Sequence, residues 1–258
     1  MKITLITVCF NSEATIADML ESVARQTHPE IEHLIIDGAS TDDTLAVINA
    51  HRAACSRVIS EPDRGIYDAM NKGLRAATGE VIGFLNADDF FADDTVLAQV
   101  AAAMADPALD ACYADLDYVD QHDTARVVRQ WRSTPFVPGS FAHGWCPAHP
   151  TFYVRRSVYE RLGGFDDPAP LGADVVLMMR LLEVAGISAR HVPAVWVKMR
   201  EGGESNRSLG NIFWQNVEIA RAARRMGLPF NPLSFLMKKL ANRIGQRRMT
   251  RDNRSHTS

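Results

Sequence analysis

Short apolar runs alternate with stretches of helical periodicity through the first half of the chain. Ile3–Phe10 predicts a buried strand, and Ala14–Arg25 a helix with Ile16, Met19, Leu20 and Val23 on one face. His33–Ile36 predicts a second strand and Thr44–His51 a second helix, with Ser40-Thr41-Asp42 ahead of it as capping material. Val58–Ser60 reads as a third strand, Tyr67–Ala77 as a helix closed by Gly79, and Val81–Leu85 as a fourth strand. Thr95–Met104 follows as a helix and Asp110–Ala114 as a fifth strand. Such alternation predicts an α/β fold, a mostly parallel sheet with helices on both faces. Ligands of such sheets bind beyond the carboxyl ends of the strands, so the loops after each strand carry the functional reading.

The second half is less regular. Residues 132–150, rich in proline and glycine, predict a long ordered loop. Val154–Leu162 and Val175–Val184 read as helices, Ile187–Val195 as a strand and Leu209–Arg225 as a helix. Residues 250–258 read as disordered.

Composition narrows the class. With 258 residues, 47% hydrophobic and 23% charged, the chain suits one large globular α/β domain. No run approaches the roughly 20 apolar residues that span a bilayer. Asn11-Ser12-Glu13 stands where a signal peptide would have its cleavage site, so a cytoplasmic location is expected. Cys9, Cys55, Cys112 and Cys146 show neither zinc-ligand nor disulfide-framework spacing and read as buried thiols. Residues 1–220 carry 18 Lys/Arg against 30 Asp/Glu, whereas residues 221–258 carry ten against one. In that basic tail, Phe230, Leu233, Phe235, Leu236, Met237 and Leu240 mix with Lys238, Lys239, Arg243, Arg247 and Arg248. The mixture suits an anionic membrane surface or a helix docked on the acidic body. It lacks the aromatic-interleaved pattern of a nucleic-acid binder.

Three strand-end loops carry candidate chemistry. The first is Asp37-Gly38-Ala39-Ser40-Thr41-Asp42-Asp43-Thr44. An aspartate at a strand end suits a ribose or base, and the same residues suit capping of the next helix; Asp37 can serve the ligand while Ser40 or Asp42 serves the cap. The second runs from Ser60 through Glu61, Pro62, Asp63, Arg64 and Gly65 to Gly73. Its turn feeds a helix N-terminus that attracts phosphate, and Arg64 and Lys72 add positive charge; a solvated amphipathic helix explains the same pattern. The third is Phe84-Leu85-Asn86-Ala87-Asp88-Asp89, where adjacent acids form a hard-oxygen site for Mg²⁺ or Mn²⁺, or cap the helix that follows.

These segments, in this order, resemble bacterial family 2 glycosyltransferases of the GT-A fold. Later motifs extend the resemblance: His149-Pro150-Thr151-Phe152-Tyr153-Val154-Arg155-Arg156, Gly164-Phe165-Asp166, Ala173-Asp174 through Arg180, and Met199-Arg200 through Asn206. The resemblance implies a GT-A (Rossmann-like) domain over residues 1–225, with a nucleotide-sugar-binding half at 1–115 and an acceptor-binding half at 116–225. Residues 226–258 would form a basic amphipathic extension. It implies that Asp37 contacts the nucleoside, that Asp88 ends the Asp-x-Asp metal motif, and that Asp174 is the catalytic base. Asn86 stands where the first acid of that motif is usual, which leaves Asp88 and Asp89 to hold Mn²⁺ or Mg²⁺. The expected donor-binding set is Thr7, Asn11, Asp37, Asp63, Arg64, Lys72, Asn86 and Asp88, with His149 and Trp145 toward the acceptor.

A single base opposite the leaving group implies an inverting transfer from a nucleotide-diphosphate sugar to a hydroxyl of a glycan or lipid-linked acceptor, in cell-surface polysaccharide or glycolipid assembly. The tail would bring the enzyme to the inner face of the membrane. Trp131, Trp145 and Tyr153 suit sugar stacking, although core or loop packing is expected for at least two of them. Residues 202–206 read as a loop able to close over the donor phosphates, or as a surface turn. Rival classes are weaker. A dinucleotide oxidoreductase needs G-x-G-x-x-G after the first strand, where Cys9-Phe10-Asn11-Ser12-Glu13 stands. A nucleotidyltransferase would carry a Gly-rich basic loop there. A sugar-nucleotide-binding protein without turnover is the remaining alternative, prompted by Asn86.

Overall fold

β1 (Ile3–Cys9) is buried at every position, because apolar side chains leave both of its faces. Ile3, Leu5 and Cys9 enter one apolar layer, while Ile6 and Val8 enter the other. The structure is a computed structural model that describes residues 1–166, 172–202, 209–229 and 235. Around β1, the strands β2 (Ile31–Asp37), β3 (Ser56–Ser60) and β4 (Val81–Phe84) run parallel. The sheet continues through β8 (Tyr153–Arg155), β6 (Ala111–Val119), β9 (Ala189–Arg200) and β5 (Asp89–Phe91), with β7 (Val127–Trp131) paired to β6. β8 is antiparallel to both β4 and β6, so β6 again runs in the direction of β4. The result is one mixed sheet whose first half is parallel.

Helices cover both faces. α1 (Ile16–Ala24) buries Ile16, Met19, Leu20 and Val23, α2 (Thr44–His51) buries Ile48, and α4 (Val96–Ala103) buries Val96, Leu97 and Val100 in the same layer. Full burial of such side chains contributes about 1.5–3 kcal/mol each. The opposite layer receives α3 (Ile66–Ala76), α5 (Arg156–Leu162), α6 (Ala173–Met179) and α7 (Leu209–Arg225). Gly73 is required within α3, because a Cβ there would stand 2.4 Å from Ile6 Cγ2 of β1. Among the described residues no helix is long and apolar enough to cross a membrane.

The expected α/β class and the helices of the first half agree with the structure, and four local expectations change. Residues 153–155 are a strand preceding α5 rather than part of a helix over Val154–Leu162; Tyr153 and Val154 fill the space between β4 and β6. The strand expected at Asp110–Ala114 extends to Val119. Asp115 and Asp117 break the apolar pattern there, yet they are buried against Arg132 and His191. β5 and β7 were not expected: the first has only three residues and the second is half polar. The helix expected at Val175–Val184 starts at Ala173 and loosens into a π turn over Arg180–Val184. Residues 132–150 form the expected ordered loop, with short 3-10 turns at Ser140–His143 and from His149.

Candidate active site

Strand register places the donor-side loops together. Cys9 pairs with Asp37 and Asp37 with Ser60, so β1, β2 and β3 end level with one another. Asp37 is buried and accepts hydrogen bonds from Ser60 Oγ at 2.6 Å, Ser40 Oγ at 2.5 Å and the Ser40 amide at 3.2 Å. Asp42 accepts at 3.0 Å from the amide of Thr44, the first residue of α2. Asn11 adopts a left-handed conformation (φ 48°) that asparagine tolerates. Its side-chain oxygen accepts from the Thr41 amide at 2.9 Å and its own amide donates to Ser40 Oγ at 2.9 Å, which ties the β1 loop to the β2 loop.

Gly38 stands close against the loops after β1 and β3. A Cβ there would stand 2.5 Å from Asp63 Oδ2 and 3.4 Å from the Phe10 ring. Asp63 also accepts from the Gly65 amide at 2.8 Å, and Phe10 is 61% exposed. Phe10, Gly38 and Asp63 therefore stand together at the carboxyl edge of the sheet. Phe10 was not among the expected donor residues; its signal was an aromatic side chain just beyond a fully buried strand.

Three expected donor residues are engaged elsewhere. Thr7 lies beneath the site: its hydroxyl bonds His33 Nε2 at 3.0 Å inside the sheet, so it presents nothing to a ligand. Burial pushes His33 down to about 3, which keeps that imidazole neutral. Lys72 donates to the Pro62 carbonyl at 2.6 Å and pairs with Glu61 at 3.1 Å, clamping the turn before α3. Arg64 pairs with Asp68 at 3.2 Å on the exposed side of that turn.

The β4–β5 loop presents Asp88 half-buried at its edge. Asp89, expected as a second metal ligand, opens β5 and is 1% exposed. Burial, and then the charge of Asp88, push its carboxyl well above the usual carboxylate range. Its Oδ2 faces Asn86 Nδ2 at 3.4 Å, while Asp89 Oδ1 and Asn86 Oδ1 are buried without a hydrogen-bond partner. Asp89 thus sits behind the loop rather than beside Asp88 at the surface. Among the described residues no three His, Cys, Asp or Glu side chains group closely enough to hold a metal by themselves. The donor set nonetheless fits a hard cation of the kind held by one carboxylate together with substrate phosphates. Arg200 secures the loop: its guanidinium donates to the Asp88 carbonyl at 2.7 Å and to Asp18 of α1, and lies 5.2 Å from the Phe90 ring.

Asp174, in the first turn of α6, accepts a hydrogen bond from the Tyr67 hydroxyl of α3 at 3.1 Å. His149 belongs to the same cluster, stacked on Phe84 at 5.3 Å and edge-on to Phe165 at 5.9 Å. Burial pushes the His149 imidazole down, against the opposing pull of the Asp174 charge. Trp145 is turned inward: its indole N–H donates to Thr134 Oγ1 at 3.0 Å and its ring packs on Tyr113, Phe136 and Phe141. Trp131 stacks on Tyr118, and Tyr153 is fully buried against Trp196. Most of the expected closing loop, at 203–206, lies outside the described residues. So does the basic tail from residue 230 onward, apart from buried Phe235.

Residues 4–163 match the family model for glycosyl transferase family 2. A PGL/p-HBAD biosynthesis glycosyltransferase of Mycobacterium bovis (strain BCG / Pasteur 1173P2) is 28% identical over 232 residues, which cover 84% of each chain. Among solved structures, S. aureus TarS 1-349 in complex with UDP-GlcNAc superposes with a TM-score of 0.70 at 19% identity, covering 93% of this chain and 73% of that one. The mannosyltransferase PcManGT from Pyrobaculum calidifontis, in complex with GDP-Man and Mn²⁺, superposes with a TM-score of 0.62 at 23% identity and the same coverages. The fold is accordingly GT-A-like, and the chain belongs to glycosyl transferase family 2.

Proposed function

We propose that this glycosyltransferase inverts the anomeric centre while passing a sugar from a nucleotide-diphosphate donor to an acceptor hydroxyl. One observation carries the reading. The carboxylate of Asp174, on the acceptor side, is hydrogen-bonded to Tyr67, which begins the helix directly after the donor-side turn holding Asp63. The base proposed at Asp174 is thereby tied to α3, the helix that follows the turn holding Asp63.

In this reading Asp37, Asp63 and Phe10 receive the nucleoside, the aromatic face suiting a base and the carboxylates suiting its donors. Asp174 takes the acceptor proton as the acceptor oxygen bonds to the anomeric carbon. The bond from that carbon to the diphosphate oxygen breaks, and the diphosphate leaves with the electron pair. General-base assistance of this kind is worth about 10²–10⁴-fold. A divalent cation held at Asp88 would offset the charge gathering on the leaving diphosphate. The Mn²⁺ in the mannosyltransferase neighbour and the UDP-GlcNAc in TarS support the metal and the donor class, respectively. His149 borders the base and would help orient the acceptor.

The acceptor is proposed to be a glycan or lipid-linked hydroxyl of cell-surface assembly. The basic residues 226–258 would bring the enzyme to an anionic inner membrane face. The test is a panel of nucleotide-sugars assayed for transfer and donor hydrolysis, with and without Mn²⁺, comparing wild type with Asp174→Asn. Loss of transfer in the variant and an inverted product by NMR are expected. A retained configuration, or a fully active Asp174→Asn, sinks the mechanism; full activity after metal chelation removes the role of Asp88. Flotation with anionic vesicles, with and without residues 226–258, tests the membrane reading, and equal binding by both forms rejects it.

A further inference from the structure

α6 starts after Gly172, a residue at φ 82° with no side chain to cap the helix. The Tyr67 hydroxyl of α3 reaches this helix start and donates to Asp174 Oδ1 at 3.1 Å. The Tyr67 ring rests on Phe165, with centroids 5.2 Å apart. Phe165 also stands edge-on to Phe84 at the end of β4. Burial first, and the Asp174 charge second, push the phenol well above its ordinary range, so it remains a donor throughout the working pH. Among the described residues, Tyr67 from α3 and His149 from the turn before β8 are titratable groups that face Asp174. From α7, Gln215 packs on Gly172 and carries no charge.

We propose that Tyr67 is the positioning residue of Asp174: its hydroxyl, bonded to Oδ1, fixes the rotation of the carboxylate so that Oδ2 is presented to the acceptor. The proposal rests on the reading of Asp174 as base. Removing the hydroxyl frees the carboxylate to rotate away from the acceptor.

The experiment compares Tyr67→Phe, Asp174→Asn and wild type. Phenylalanine keeps the ring on Phe165 and removes only the hydroxyl. The expected result for Tyr67→Phe is a kcat lower by about ten- to hundredfold, as for loss of a hydrogen bond to a charged group. Donor KM should stay within about twofold, so that the loss falls on kcat. A kcat loss matched by an equal rise in donor KM, or by a fall in melting temperature that accounts for it, would identify Tyr67 as scaffold alone and overturn the positioning role. Wild-type kcat would overturn it too, provided Asp174→Asn is inactive. If Asp174→Asn transfers sugar normally, the base assignment itself fails.

Discussion

Replacing Arg200 with methionine tests how the β4–β5 loop is held. The guanidinium is 7% exposed and makes three contacts: the Asp88 carbonyl at 2.7 Å, the Asp18 carboxylate, and the Phe90 ring at 5.2 Å. These contacts are not of equal weight. Asp18 is 58% exposed, so solvent screening leaves that ion pair about 0–1 kcal/mol. The bond to the Asp88 carbonyl is partly buried and charge-assisted, worth about 1.5–3 kcal/mol. The ring contact adds about 0.5–1 kcal/mol. Arg200→Met retains apolar packing and removes all three, for a loss of roughly 2–5 kcal/mol if the contributions add. At about 2–4 °C per kcal/mol for a domain of this size, the melting temperature should fall by roughly 4–20 °C. The loop that carries Asp88 should loosen as well. Calorimetry reads the first effect, and Mn²⁺ titration of transfer reads the second, with the half-saturating Mn²⁺ concentration rising several-fold or more. Arg200→Lys keeps the charge but not the fork and should fall between the two. A lower melting temperature with an unchanged Mn²⁺ requirement would show that Arg200 supports the fold without positioning Asp88.

Other perturbations separate donor binding from scaffold. Gly38→Ala places a methyl 2.5 Å from Asp63 Oδ2, and a misplacement of about 1 Å in such a site costs up to about 10²-fold; donor KM should rise at least tenfold with acceptor KM unchanged, and an unchanged donor KM would remove Asp63 from the donor site. Leu20→Ala, at a fully buried position of α1, should cost about 2–5 kcal/mol in denaturant unfolding while kcat of the folded enzyme stays the same. Burial alone would raise Glu32, but hydrogen bonds from Thr4, Thr78 and Lys2 outweigh it and hold the carboxyl down at about 2. A depressed folded value means stability that is present above the unfolded value of about 4.3 and lost as pH falls toward about 2. Glu32→Gln should therefore melt lower than wild type at neutral pH, with the gap closing across that window; a pH-independent gap would contradict the assignment.

The elements that local periodicity encodes were legible, and those decided by distant partners were not. α1 declares itself through Ile16, Met19, Leu20 and Val23, and α2 and α7 begin and end where their patterns do. β6 runs past the apolar stretch at Asp110–Ala114 because Asp115 and Asp117 are buried against Arg132 and His191, which lie on other segments. The same division runs through the site. Asp37, Asp63 and Asp88 follow strands, so a rule about strand ends finds them. That rule cannot tell which side chains at a strand end face outward. Thr7 points into the sheet toward His33, and Asp89 turns behind the loop toward Asn86. Arg200 stood inside a quoted motif with no function attached, because its partners Asp18 and Asp88 lie on other elements. The bond from Tyr67 to Asp174 joins residues 107 positions apart, and each sits in a helix start where capping explains it equally well. The base proposed at Asp174 draws its support from that meeting of α3 and α6, which no local pattern announces.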